Sequence, residues 1–260
     1  MTSSRTSPRR PGRPLAIAGA LVALAVLAGG AYGIWYLFLK PSGPAAVTDA
    51  SLPPIPSSSA ASTGAASSPG SSTDASSLDG MWSVDTEIGS FSDFTGTFVG
   101  YRIQEQLANV GGNTAVGRTP NATGTLTLQG STITAATISA DLTELKSDDD
   151  RRDGQLSRQG LQTSQFPTAT FTLTSPIDLG SVPADGQTIT ATAHGQLTLH
   201  GQTRDVDIPI SAKRSGFVVV VSGSLPIVLA DYGIPKPNSF AVLSIADQGT
   251  MEFQIFFSKG

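Results

Sequence analysis

Apolar and polar residues alternate along several stretches in the second part of the chain. Alternation occurs at residues 124–130, 169–179, 195–201 and 205–210 and, as far as Phe256, at 249–259, while residues 217–225 form a β-branched run. A period of two is typical of a strand with one buried face, and Gly, Pro, Asp or Asn bounds each stretch. Such strands, separated by turn residues, predict an antiparallel barrel or sandwich.

Short polar connections predict where neighbouring strands pair. Residues 129–132 and 200–203, QGST and HGQT, each separate two alternating stretches and predict tight hairpins. Residues 104–121 are longer and looser than a simple hairpin, so the sequence does not define the mouth of any cavity at this point.

One stretch, residues 148–163, does not follow the period of two. Its first residues are acidic and Ser147 precedes them, which predicts one or two helical turns with Ser147 as the N-cap. Gly154 and Gly160 are expected to interrupt these turns, and Leu156 and Leu161 to hold them against the rest of the domain.

The charged run at residues 147–156, SDDDRRDGQL, raises the question of a metal or acid–base site. A calcium loop of the EF-hand type needs Gly at its sixth position and Glu at its twelfth. Counted from Asp148, these positions hold Asp153 and Gln159, so the pattern fails. We interpret the run as a solvent-exposed turn with local ion pairs.

The N-terminal part has a different pattern. Residues 15–39 are uncharged and mostly apolar, and as a helix they would extend about 37 Å, enough to cross a hydrocarbon core of about 30 Å. Four arginines precede this stretch and Lys40 follows it. This excess of positive charge before the stretch predicts that residues 15–39 cross the cytoplasmic membrane once, with residues 1–14 in the cytoplasm and the residues after the span outside. The alternative is a cleaved signal peptide, whose apolar core is shorter, about 7–15 residues.

Residues 40–80 are rich in Ser, Ala, Pro and Gly. This composition cannot bury enough apolar area to offset chain entropy, so it predicts a disordered linker. A flexible chain of this length would have a root-mean-square reach of about 35 Å. Residues 81–260 then form one folded domain.

Composition excludes several classes of function. The chain has no cysteine, which rules out disulfides and thiolate metal sites, and its net charge of −4 does not favour nucleic-acid binding. His194 and His200 would lie about 20 Å apart in an uninterrupted strand, facing solvent, so they predict no shared metal. Neither a G-x-S-x-G nor an S-x-x-K motif occurs, and no catalytic residue is predicted.

Three blocks of sequence, residues 151–177, 194–210 and 229–257, resemble the YceI family of bacterial envelope proteins. The resemblance rests on an Arg–Asp pair, a Phe–Pro with a following aromatic, a Gly–Leu–Thr hairpin and a Tyr–Gly. These are Arg152, Asp153, Phe166, Pro167, Phe171, Gly195, Leu197, Thr198, Gly201, Thr203, Arg204, Tyr232 and Gly233. Residues 99–107 resemble the membrane-tethered branch of the family, although most relatives are secreted with a cleaved signal and lack the tether.

The resemblance implies a lipocalin-like barrel of about eight strands whose apolar cavity holds a polyisoprenoid lipid, possibly an isoprenoid quinone. No other cofactor is expected. Arg102 is a possible contact for a ligand head group. The candidate lining residues are Phe98, Tyr101, Phe166, Phe171, Leu173, Leu197, Leu199, Ile208, Phe217, Tyr232, Met251, Phe253 and Ile255.

Two other functions remain open from the sequence. The same side chains could fill their own core, which would suit a structural or protein-interaction domain used in an envelope stress response or in adhesion. An enzyme acting on a lipid head group would need an activated nucleophile or base, and the sequence indicates none.

Overall fold

The structure, a computed structural model, describes residues 44–47, 78–108, 111–237 and 242–259. These residues contain eleven strands in one antiparallel sheet. The strands are β1 Gly80–Asp85, β2 Phe98–Leu107, β3 Gly111–Thr119, β4 Ala122–Gln129, β5 Thr132–Asp141, β6 Thr168–Leu173, β7 Ile177–Asp178, β8 Thr188–Leu199, β9 Gln202–Ser215, β10 Val218–Val228 and β11 Val242–Ser258.

Eight of the strands close into a barrel. Their order is β1-β4-β5-β6-β8-β9-β10-β11, and β1 pairs with β11 to complete the ring. This confirms the predicted eight-stranded antiparallel barrel. The long strand β11 also pairs with β2 ahead of its contact with β1, so the β2–β3 hairpin extends the wall at one end.

Both predicted tight hairpins are present. β8 and β9 are joined by His200 and Gly201, whose φ angles are 51° and 73°. Gly130, with φ of 59°, lies in the turn between β4 and β5. Positive φ at the first turn residue matches the right-handed twist of a two-residue hairpin.

Two of the predicted boundaries were wrong. Residues 104–121, predicted to be longer and looser than a simple hairpin, belong to a regular hairpin of β2 and β3, which is paired from Val99 with Thr119 to Leu107 with Gly111. Strand β3 was missed because its Gly, Asn and Thr residues show little alternation. The stretch 169–179 is divided into β6 and β7, because Pro176 between them has no N–H to donate to a neighbouring strand.

The predicted helical segment forms, but its start is different. Helix α1, Asp150–Gln155, continues into a π-helical turn, Leu156–Gly160. Its N-cap is Asp149 and not the predicted Ser147. The Asp149 carboxylate accepts hydrogen bonds from the N–H groups of Arg151 and Arg152. Gly154 lies inside the helix and does not interrupt it.

Leu156 and Leu161 pack into an apolar cluster with Leu197 and Tyr232, as the pattern predicted for the two leucines. The segment that follows β5 is thereby attached to one end of the barrel. We refer to this end as the upper end.

In the part of the chain that the structure describes, no helix is long and apolar enough to cross a membrane. The predicted span, residues 15–39, lies outside these residues, as does most of the predicted linker. Residues 44–47 of that linker are described and hydrogen bond to the barrel, so the linker is not free of contacts throughout.

The barrel interior as the candidate ligand site

The inward faces of the strands enclose three small apolar cavities. The upper cavity has a volume of about 150 Å³, the middle cavity about 110 Å³ and the lower cavity about 80 Å³. Val99, Ala169 and Met251 border both the upper and the middle cavity. Leu126 and Val221 are among the residues that border both the middle and the lower cavity. The shared walls place the three cavities in one line along the barrel.

Nine of the candidate lining residues border these cavities. Tyr101 and Leu199 border the upper cavity. The middle cavity is bordered by Phe171, Leu173, Leu197, Ile208, Met251, Phe253 and Ile255. Most of these lie at alternate positions of regular strands, where the period of two sends them to the same face.

Four candidates do not border the three cavities. Phe98 lies on the other face of β2 from Val99, beneath the guanidinium of Arg118. Phe166 precedes β6 and packs on the ring of His200, with centroids 4.3 Å apart. Phe217 lies at the turn before β10 and is 41% exposed, and Tyr232 is buried in the apolar cluster below its 3₁₀ turn, Leu229–Tyr232. Each of these except Phe98 lies in a turn or loop, where alternation does not determine direction.

Tyr101 provides a polar group in the upper cavity. Its ring passes over Gly117 on the neighbouring strand, where the Cβ of any other residue would overlap it. The hydroxyl is buried and has no hydrogen-bond partner among the described residues. Burial raises the pKa of Tyr101, so the hydroxyl stays protonated and able to donate.

Arg152 and Glu105 form an ion pair beside Tyr101 at the upper cavity. Arg152 Nη2 lies 2.8 Å from Glu105 Oε1, which also accepts from Asn113 Nδ2 at 2.7 Å. Burial alone would lower the pKa of Arg152. The charges and hydrogen bonds of Glu105 and Asp148 have a larger, opposite effect, so the pKa of Arg152 is raised.

The interpretation of residues 147–156 as a solvent-exposed turn was therefore wrong for Arg152 and Asp153. The local pair of Arg152 with Asp148 does form, but Arg152 also reaches across the barrel end to Glu105. Asp153 accepts hydrogen bonds from the N–H and Oγ–H of Ser147, which fixes the start of α1.

Arg102 does not direct its charge into the cavity. It borders the upper cavity, yet its guanidinium bonds to Glu252 and to the carbonyl oxygen of Pro44 on the outer face of the wall. Strand alternation explains this, because Tyr101 and Ile103 take the inner face. Contact of Arg102 with a ligand head group stays a prediction.

Arg118 and Glu252 are buried polar residues that the sequence analysis did not single out. Arg118 Nη2 lies 2.6 Å from Glu252 Oε1, and the two side chains are 3% and 2% exposed. The available signal was that Glu252 is the one charged residue in the stretch 249–257. Its partner lies 134 positions away, in the strand that was missed.

The two histidines lie in different environments. His194 is exposed and its Nδ1 lies 2.6 Å from Asp207 Oδ1. His200 is buried, and its Nδ1 lies 3.0 Å from the carbonyl oxygen of Tyr232. The expectation that His200 faces solvent was wrong, because the positive φ of the turn directs it against Phe166. Within the described ranges, no group of three or more His, Asp or Glu side chains could hold a metal ion.

Three solved structures are similar to this barrel. A polyisoprenoid-binding domain from Saccharophagus degradans, implicated in plant cell wall breakdown, is 21% identical, with a TM-score of 0.53 over 69% of this chain and 98% of that chain. BcnA from Burkholderia cenocepacia is 18% identical, with a TM-score of 0.47 over 61% of this chain and 95% of its own. A YceI protein from Campylobacter jejuni is 11% identical, with a TM-score of 0.44 over 54% and 82%.

No curated protein matches the chain. The family model described as YceI-like domain matches residues 82–257, which covers nearly all of the barrel and more than half of the chain. The protein therefore belongs to the YceI-like family.

Proposed function

We propose that the barrel binds a polyisoprenoid lipid along its axis. The observation that carries this proposal is the line of three apolar cavities, which share walls and run between the two ends of the barrel. A long, thin and apolar ligand suits this space better than a compact one. The likeness in fold to a polyisoprenoid-binding domain supports the same choice.

Binding would draw on the hydrophobic effect alone along most of the ligand. Each buried methylene contributes about 0.8 kcal/mol, so one five-carbon isoprene unit contributes about 4 kcal/mol. No catalytic group is required for such affinity, and the function is binding and carriage, not turnover.

The ligand must widen the cavities as it enters. Each is smaller than the roughly 300 Å³ at which small-molecule pockets begin. Met251 lies at the junction of the upper and middle cavities, and its unbranched thioether adapts readily to a changed shape.

The polar end of the ligand would lie in the upper cavity. The buried Tyr101 hydroxyl can donate one hydrogen bond there, and the Glu105 carboxylate is already bound by Arg152 and Asn113. A carbonyl oxygen, such as that of an isoprenoid quinone, fits this arrangement.

A second candidate is a structural or protein-interaction domain of the envelope with a filled core. The small volume of each cavity favours this alternative. For the cellular setting, the apolar stretch 15–39 and the arginines before it support a domain tethered to the outer side of the cytoplasmic membrane.

Mass spectrometry of organic extracts from the natively purified full chain tests the proposal. Ala169→Phe places a ring where the upper and middle cavities meet, and Thr172→Phe places the same ring at an exposed position of the same strand. We expect a prenyl lipid in the wild type and in Thr172→Phe, and its loss from folded Ala169→Phe. A folded wild type that neither carries nor takes up added prenyl lipids would refute the proposal and favour the filled core.

A further inference from the structure

A charged cluster lies on the outer face of the wall formed by β2, β3 and β11. Glu252, Gly100 and Arg118 stand opposite one another in the register of the three strands. Gly100 leaves room for the other two to meet, because a Cβ there would lie 2.7 Å from Arg118 Cγ. Arg102 approaches from the neighbouring row, with its Nε 3.4 Å from Glu252 Oε2. We call Arg102, Arg118 and Glu252 the outer cluster.

The outer cluster has more donors than the barrel wall satisfies. It contains two guanidinium groups and one carboxylate. The guanidinium of Arg118 lies over the rings of Phe94 and Phe98, 4.5 Å and 4.1 Å from their centroids. Burial lowers the pKa of Arg118 although Glu252 opposes this shift. Further acceptors are therefore needed at this site.

Residues 44–47 supply these acceptors. The carbonyl oxygen of Pro44 accepts from Arg102 Nη2 at 2.6 Å, and that of Ala45 accepts from Arg118 Nη2 at 2.9 Å. The N–H of Val47 donates to Glu252 Oε2 at 3.3 Å. All three bonds use the backbone of the segment, and Ala45 and Ala46 leave their side chains exposed.

We propose that the outer cluster is a binding site for an extended peptide backbone, and that its occupant is residues 44–47 of this chain. The site takes two successive carbonyl acceptors and, two residues further on, one N–H donor. It tolerates proline at the first position, as Pro44 shows, and excludes proline at the fourth, where the N–H is required.

The docked segment divides the predicted linker. Residues 44–47, ahead of β1 in the sequence, are attached to the barrel by their own hydrogen bonds. The site also stabilises the wall that carries Tyr101, because Gly100 and Arg102 flank Tyr101 in β2.

The test uses two spin labels on the full chain in detergent micelles. The chain has no native cysteine, so Ala46→Cys and Thr172→Cys, both at exposed positions, give a doubly labelled protein without further changes. A pulsed electron–electron double resonance experiment then measures the distribution of distances between the segment and the barrel. A docked segment gives one narrow distribution.

Matched variants separate the backbone bond from the side chain. We expect Val47→Pro, which removes the N–H donor, to broaden the distribution at least twofold, and Val47→Ala, which keeps the donor, to leave it narrow. Arg102→Gln should broaden it as well, without changing the barrel's circular dichroism. A broad distribution in the labelled parent, a narrow one in Val47→Pro, or equal broadening in Val47→Ala and Val47→Pro would overturn the proposal.

Discussion

Neutralising Glu252 should destabilise the barrel far more than breaking an exposed ion pair. Glu252→Gln keeps the size of the side chain but removes its charge and replaces one acceptor oxygen with an amide NH2, so that Arg118, 3% exposed, loses its counter-charge in a buried site. Breaking a buried pair in this way costs about 3–5 kcal/mol. Arg102 adds little, because its contact is 3.4 Å long and its side chain is 21% exposed.

The expected loss of about 3–5 kcal/mol for Glu252→Gln is large, because the free energy of unfolding of a whole domain is about 5–15 kcal/mol. For a domain of this size each kcal/mol changes the melting temperature by about 2–4 °C, so we expect a decrease of about 6–20 °C. Urea unfolding followed by circular dichroism on the full chain in detergent gives the free energy, and a thermal scan gives the midpoint.

Asp207→Asn is the matched control. It removes the same charge from a pair with His194 in which the two side chains are 73% and 54% exposed, so the expected loss is below about 1 kcal/mol. The loss in free energy of unfolding should therefore be several-fold larger for Glu252→Gln than for Asp207→Asn. A loss for Glu252→Gln no greater than that of Asp207→Asn would refute the assignment of Glu252 as a buried counter-charge.

Two further predictions concern the upper cavity. Gly117→Ala should displace the Tyr101 ring, lower the free energy of unfolding by about 1–3 kcal/mol and reduce the bound lipid. Gly112→Ala on the same strand is the control, because its new Cβ would lie 3.6 Å from Gln106 Nε2, and it should change neither quantity. Urea unfolding measures the stability, and mass spectrometry of organic extracts measures the lipid. Burial raises the pKa of Tyr101 above its unfolded value of about 10, so its contribution to stability is present below that pH and is lost as the pH rises further. The stability difference between wild type and Tyr101→Phe should therefore shift by up to about 1.4 kcal/mol per pH unit above pH 10, and an unchanged difference between pH 9 and pH 11 would contradict the burial of this hydroxyl.

The strands that alternate strictly could be read from the sequence, and so could the faces of their side chains. Leu197, Met251 and Phe253 follow from the period of two alone, because successive side chains in a strand point to opposite faces. The two-residue turns were equally readable, since Gly130 and Gly201 adopt the positive φ that such turns require.

The polar contacts could not be predicted in the same way. Arg152 and Glu105 lie 47 positions apart, and Arg118 and Glu252 lie 134 apart, so no local pattern connects them. Their pairing depends on strand register and on which strand neighbours which, and β3 has too little alternation to be recognised. The aromatic residues in turns, such as Phe217, were misplaced for a related reason, because periodicity ends where the strand ends.

Closure of the ring by β11 has a consequence for the nascent chain. On one edge β11 covers β10, and on the other it covers first β2 and then β1, so all three present unpaired edges until residues 242–258 have been synthesised. Unpaired edges invite association with other chains, and pairings between distant residues form slowly. The interval before β11 pairs with these strands is therefore when this protein is most exposed to aggregation.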